Sequence, residues 1–136
     1  MPRLRTLIPL CAACALASAG AAQPVADNWA NARPLTVTLS SFRFEPSDIR
    51  LDHGVAYDLR LANRSTGGHD FASPAFFAQA QLRSDDMAKV RNGRIEVDGG
   101  DSVEIHLIAP APGTYKVHCT HFMHSAFGMT GHIIVR

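Results

Sequence analysis

Over residues 35–135, apolar side chains recur at every second position, in short runs cut by turns. Leu35, Val37 and Leu39 alternate with threonines, and Val55, Tyr57, Leu59 and Leu61 alternate with Ala56, Asp58, Arg60 and Ala62. Val103, Ile105 and Leu107 repeat the pattern; Tyr115, Val117 and Cys119 follow, and Ile133 and Val135 close the chain. A period of two indicates strands with one buried face. At Ser40-Ser41 the parity flips and Phe42 and Phe44 take over, as a bulge or bend would produce. Glu45-Pro46-Ser47-Asp48, Asp52-His53-Gly54, Asn63 to Gly68, Gly99-Gly100 and Pro110 to Gly113 are turns, and Asn92-Gly93 is a hairpin signal. Ser73-Pro74 reads as the start of a short helix carrying Phe76, Phe77, Ala80 and Gln81 on one side. About seven short strands with turns every 8–12 residues describe an all-β, antiparallel sandwich or barrel.

The chain is 136 residues long, with 46% hydrophobic and 18% charged residues, which suits one globular domain and argues against disorder. A formal net charge of +1 gives no footprint for nucleic acid.

Residues 1–21 read as a secretory signal peptide that is removed. Arg3 and Arg5 precede the apolar run Leu7 to Ala17, and Ala19-Gly20-Ala21 supplies small residues for cleavage. The run is too short for a membrane span, and Pro9 interrupts it. The expectation is an exported chain, periplasmic in a Gram-negative host, with no span in its mature form. Residues 22–34 read as a flexible segment, and the domain as 35–136. Without the two leader arginines, the thirteen basic residues become eleven against twelve acidic ones, a net charge of about −1.

Cys11 and Cys14 leave with the leader, so the mature chain keeps Cys119 alone. A lone cysteine excludes an intramolecular disulfide and a four-cysteine metal site. An inert buried thiol, an intermolecular bridge, a nucleophile and a metal ligand remain. The surrounding segment points to the last. His118-Cys119-Thr120-His121-Phe122-Met123-His124-Ser125-Ala126-Phe127-Gly128-Met129 holds thiol, imidazole and thioether groups within twelve residues, starting at a strand end. Gly67-Gly68-His69-Asp70-Phe71 follows another strand. One histidine there with cysteine, histidine and methionine here would make a trigonal His2Cys copper site with a weak axial thioether. Spacing leaves His121 and Met123 as competitors of His124, which is preferred because His121 lies only two residues past the cysteine. His118 lies on the strand face opposite Cys119, and His53, His106 and His132 read as solvated.

Taken together, Ser41-Phe-x-Phe44-x-Pro46, Asn63-x5-His69-Asp70-Phe71 and Gly113-Thr-Tyr-x3-Cys119-x4-His124-x4-Met129-x-Gly131 resemble the cupredoxins, the blue copper family, and in particular its small periplasmic members. The resemblance implies a Greek-key sandwich holding one type 1 copper ion on His69, Cys119 and His124 with Met129 axial. Asp70 departs from the asparagine usual after the first histidine. It can still accept a hydrogen bond from Thr120 and would favour Cu(II).

The resemblance implies one-electron transfer, not enzymatic catalysis, by a monomer that docks transiently on a redox partner protein. Phe122, Met123, Ala126 and Phe127 would form the apolar rim. The alternative is a copper-binding module for storage, delivery or resistance, exchanging the ion with a copper donor or acceptor. A third possibility is a metal-free interaction domain.

Overall fold

The computed structural model describes residues 29–136. The strands are β1 (Arg33–Ser40), β2 (Arg43–Glu45), β3 (Asp48–Leu51), β4 (Ala56–Asn63), β5 (His69–Ala72), β6 (Gln81–Leu82), β7 (Arg94–Val97), β8 (Ser102–Ile108), β9 (Gly113–His118) and β10 (Thr130–Val135). A one-turn helix, α1 (Pro74–Phe77), and a helical segment, Ser84–Lys89, interrupt them. One sheet runs β2-β1-β4-β8-β6 and the other β3-β10-β9-β5-β7. The fold is the expected all-β sandwich with a short helix. Ten strand segments replace about seven because β2, β3 and β6 are only two to four residues long.

The alternating residues behave as their period dictates. Val37, Leu39, Leu59, Leu61, Ile105 and Leu107 from one sheet meet Phe71, Ile95, Val97, Val117, Ile133 and Val135 from the other in one core. Each of these side chains contributes about 1.5–3 kcal/mol by leaving water. Two pairings are parallel, β1 with β4 and β3 with β10; the rest are antiparallel. Only Pro46 and Ser47 separate β2 in the first sheet from β3 in the second.

The parity flip at Ser40-Ser41 is a chain reversal, not a bulge. Ser40 pairs with Arg43 and Leu39 with Phe44, so Ser41 and Phe42 form a two-residue hairpin turn. Phe44 is buried, while Phe42, at φ 62°, stands outside the core. Asn92 and Gly93 also lie at positive φ, 52° and 72°, and reverse the chain as expected, with a single Arg91–Arg94 bridge across the turn. In α1, the backbone carbonyl of Ser73 accepts from the Phe76 and Phe77 amides, while its hydroxyl donates to Lys116 O at 2.7 Å. Phe76 and Phe77 are buried, and Gln81 has moved into β6.

The ordered domain begins before Leu35. Trp29 to Asn31 form a single helical turn, and Arg33 and Pro34 already pair with Tyr57 and Asp58. The end of the segment read as flexible is therefore structured. The leader reading, 1–21, lies outside the described residues. Among the described residues, no helix is long and apolar enough to cross a membrane.

Candidate metal centre

His69 opens β5, and the loop before it is fixed by one asparagine. The amide nitrogen of buried Asn63 donates to the carbonyls of Gly67 (2.8 Å), Val97 (3.0 Å) and Asp98 (3.1 Å). Its oxygen accepts from the Ser65 amide at 3.0 Å. A side chain at Gly99 would collide with the carbonyl of Thr66, so the loop sits directly on that glycine. These contacts hold the backbone that leads into His69.

Cys119 follows β9, and its amide donates to Met129 O at 3.1 Å. The Met129 amide in turn donates to His124 O at 3.0 Å. Two backbone bonds thus draw Cys119, His124 and Met129 together at the root of the loop. His69, Cys119 and Met129 are buried and His124 half-buried.

The three donors converge. One ligating atom each of His69, Cys119 and His124 lies within 4.8 Å of the others. Nδ1 of His69 is 3.1 Å from Nδ1 of His124, and Sγ of Cys119 is 3.9 Å and 3.4 Å from those two nitrogens. A point about 2 Å from all three atoms satisfies these separations, which is the length of a metal–imidazole bond (~2.0–2.1 Å for zinc). Thiolate with two imidazoles is a donor set for a late first-row transition ion.

Electrostatics fit the same occupant. Burial, then the neighbouring His124 and His121, lowers the His69 pKa and leaves its lone pair free. Burial pushes the Cys119 thiol up, against the amides of Asp70 and His121. The Asp70 amide reaches Sγ at 3.5 Å. A thiol held up by burial is a poor nucleophile, but a cation in the cluster would deprotonate it.

Asp70 ties the two loops. It is wholly buried, and Oδ1 accepts from the Thr120 amide at 2.6 Å while Oδ2 accepts from the Thr120 hydroxyl. Arg94, absent from the sequence reading, adds Nη1 at 2.8 Å from Thr120 Oγ1 and 3.4 Å from Asp70 Oδ2. The register of β5 with β7, Ala72 opposite Arg94, brings it there.

The structure separates His124 from its competitor. His121 stacks on His124 with centroids 5.4 Å apart, but its Nε2 lies 2.7 Å from Glu96 Oε1. Met123 is 45% exposed, whereas Met129 is wholly buried. His118 belongs to no donor group among the described residues. Exposed Phe122, Met123 and Phe127 surround the loop tip, and Phe42 joins them from the β1–β2 turn. Its ring meets both His124 and Phe127 at 5.2 Å. Of the histidines read as solvated, His53 and His132 are exposed. His106 is not: Asp86 holds its Nδ1 at 2.9 Å.

No curated protein matches this chain. Among solved structures, it resembles the dithionite-reduced auracyanin of Roseiflexus castenholzii at 22% identity, covering 77% of this chain and 98% of that one (TM-score 0.57). Auracyanin A of Chloroflexus aurantiacus, described as a "blue" copper protein, matches at 20% identity over 76% of this chain and 99% of its own (TM-score 0.52). A multi-copper oxidase from Pediococcus acidilactici matches at 19% identity over 78% of this chain but 26% of its own length (TM-score 0.59). These likenesses concern the fold. The sequence itself matches the cupredoxin-like domain over residues 6–135, a span that starts inside the stretch read as a leader and ends with β10. With nearly every residue inside that match, the chain belongs to the cupredoxin-like domain family.

Proposed function

We propose that the protein would hold one copper ion on His69, Cys119 and His124, with the Met129 thioether as a fourth donor, and that it carries single electrons between partner proteins. The observation that carries this reading is the convergence of two Nδ1 atoms and Sγ, 3.1 to 3.9 Å apart, in a mostly buried pocket. Bound copper would supply one-electron chemistry between its two oxidation states.

The chain's own residues supply rigidity and access. The Asp70–Thr120 hydrogen bonds and the Cys119–Met129–His124 backbone bonds hold the donors in place. A frame that barely moves between redox states keeps the reorganisation per electron small. Met129 and Cys119 exclude water from the interior side, and His124 is the more exposed imidazole. The rim of Phe42, Phe122, Met123 and Phe127 around it suits brief apolar docking. Export, a periplasmic setting and a monomeric state belong to the same proposal.

One observation supports the alternative of copper storage or delivery. His121, Glu96 and Asp70 form a further donor group against the main cluster, so a transferred ion would have a second foothold.

The test is the visible spectrum of the purified protein after Cu(II) addition. Thiolate-to-copper charge transfer predicts an intense band near ~600 nm that Cys119→Ser abolishes. Reversible one-electron bleaching of that band supports the carrier. A colourless protein that binds Cu(I) and releases it to an apo-acceptor supports copper handling. Absence of copper binding overturns both.

A further inference from the structure

The outer face of the β4–β8 pair carries a second group of donors, remote in sequence from the first. Asp58 and His106 are directly opposite each other in the antiparallel register, and Glu104 is two residues along β8 on the same face. One ligating atom of each lies within 4.8 Å of the other two. Two carboxylates this close repel unless a cation lies between them. Moreover, Asp58 Oδ1 is shielded from solvent and has no hydrogen-bond partner among the described residues. A buried, unpaired carboxylate oxygen is costly, and a cation is the partner it lacks.

His106 is also prepared as a ligand. Its Nδ1 lies 2.9 Å from Oδ2 of the wholly buried Asp86. The same Oδ2 also accepts from the His106 backbone amide at 2.9 Å, which fixes the carboxylate behind the ring. A carboxylate behind an imidazole is the usual support of a metal-bound histidine. Among the described residues, no lysine or arginine forms an ion pair with the Asp58 or Glu104 carboxylate. Lys89 Nζ contacts Asp86 and the Glu104 carbonyl, each at 2.7 Å; Arg83 Nε lies 3.4 Å from Asp86; and Arg60 Nη2 donates to Ser102 Oγ at 3.3 Å.

We propose that Asp58, Glu104 and His106 form a second metal site, for a divalent first-row ion bound through one imidazole nitrogen and two carboxylates. Its donor set contains no sulfur. It therefore selects ions such as Ni(II) or Zn(II), with water completing the coordination, over Cu(I). The site is independent of the thiolate centre and of the function proposed for it.

Trp29, the only tryptophan of the chain, provides a local reporter, because its ring meets His106 edge-on at 6.3 Å. Ni(II) is titrated into the Cys119→Ser protein, which lacks the thiolate, and Trp29 fluorescence is followed. The expected result is saturable quenching by one ion, reversed by excess Zn(II). Asp58→Asn and, separately, Glu104→Gln should weaken the apparent affinity by at least about tenfold, whereas His124→Ala should leave it unchanged. Glu104 is exposed, so its substitution leaves the fold intact even if Asp58→Asn does not. Quenching that rises linearly without saturation, or saturable quenching indifferent to both substitutions, overturns the proposal.

Discussion

The amide of Thr120 donates to Oδ1 of Asp70 at 2.6 Å, so the residue after Cys119 is bonded to the residue after His69. One buried carboxylate thus joins the two loops that carry the donors, and Arg94 closes the network from β7. A carboxylate next to the thiol and imidazole would favour the more oxidised, more positive state of a bound metal.

Asp70→Asn is expected to raise the reduction potential of the copper-loaded protein, and Arg94→Ala to lower it. A unit charge a few ångströms from the centre in a protein interior is worth on the order of 50–100 mV for one electron. Redox titration of the visible band checks both signs. An unchanged potential in Asp70→Asn would mean that the carboxylate acts only as a tether.

Gly131 lies in β10 opposite Val117, and a Cβ there would collide with the carbonyl oxygen of Ser47. That carbonyl already accepts from His132 N at 2.8 Å, so it cannot retreat freely. Gly131→Ala is expected to destabilise the fold by about 1–3 kcal/mol, measured by urea unfolding. Unchanged stability would show that the approach of the β2–β3 link to β10 relaxes at little cost.

Asp86 gives the stability an acid limb. Its carboxyl sits at about 2 in the folded chain despite burial, because Lys89 and His106 favour the charged form. The unfolded group titrates near ~3.9, so the stabilisation is complete above about pH 4 and is lost as pH falls through about 2. The difference is worth about 2 kcal/mol. Unfolding at pH 5, 3 and 2 should show the wild type losing about that much more than Asp86→Asn. Parallel losses in the two proteins would assign the acid sensitivity elsewhere.

Phe42 occupies the left-handed region at φ 62° while its ring lies against His124 and Phe127. A bulky residue there costs about 1–2 kcal/mol of backbone energy that glycine does not. Phe42→Gly is therefore expected to leave stability unchanged or raise it by up to about 1 kcal/mol, yet to speed copper loss to a chelator several-fold. Slower or unchanged loss would remove Phe42 from the shield around His124.

Period-two patterning was enough to read the sandwich because most of the longer strands bury one face. It could not register pairing direction: Val37 and Leu39 alternate identically whether β1 lies parallel or antiparallel to β4. At the candidate metal centre, Cys119, His124 and Met129 were legible because they share one short loop, and His69 because it closes a turn-rich loop that follows a strand. Arg94 was not, since its contact with Asp70 depends on strand register across 24 residues. His106 read as solvated from its polar strand phase, but Asp86 covers it from the helical segment. The available hint was the cation spacing around Asp86, with Arg83 three residues before and Lys89 three after. Phe42 was misplaced because a two-residue hairpin and a bulge shift alternation in the same way.

The stretch between Cys119 and Met129 satisfies much of its backbone internally, through His124 to His121, Phe127 to Met123 and Gly128 to Ser125. Its root carries the donors, and its tip, led by Phe122 at 90% exposure, is exposed to solvent. Tip residues can therefore be exchanged at little cost in folding free energy while the root stays where it is. If the proposed function holds, partner choice and metal chemistry would be separately heritable traits of a single loop.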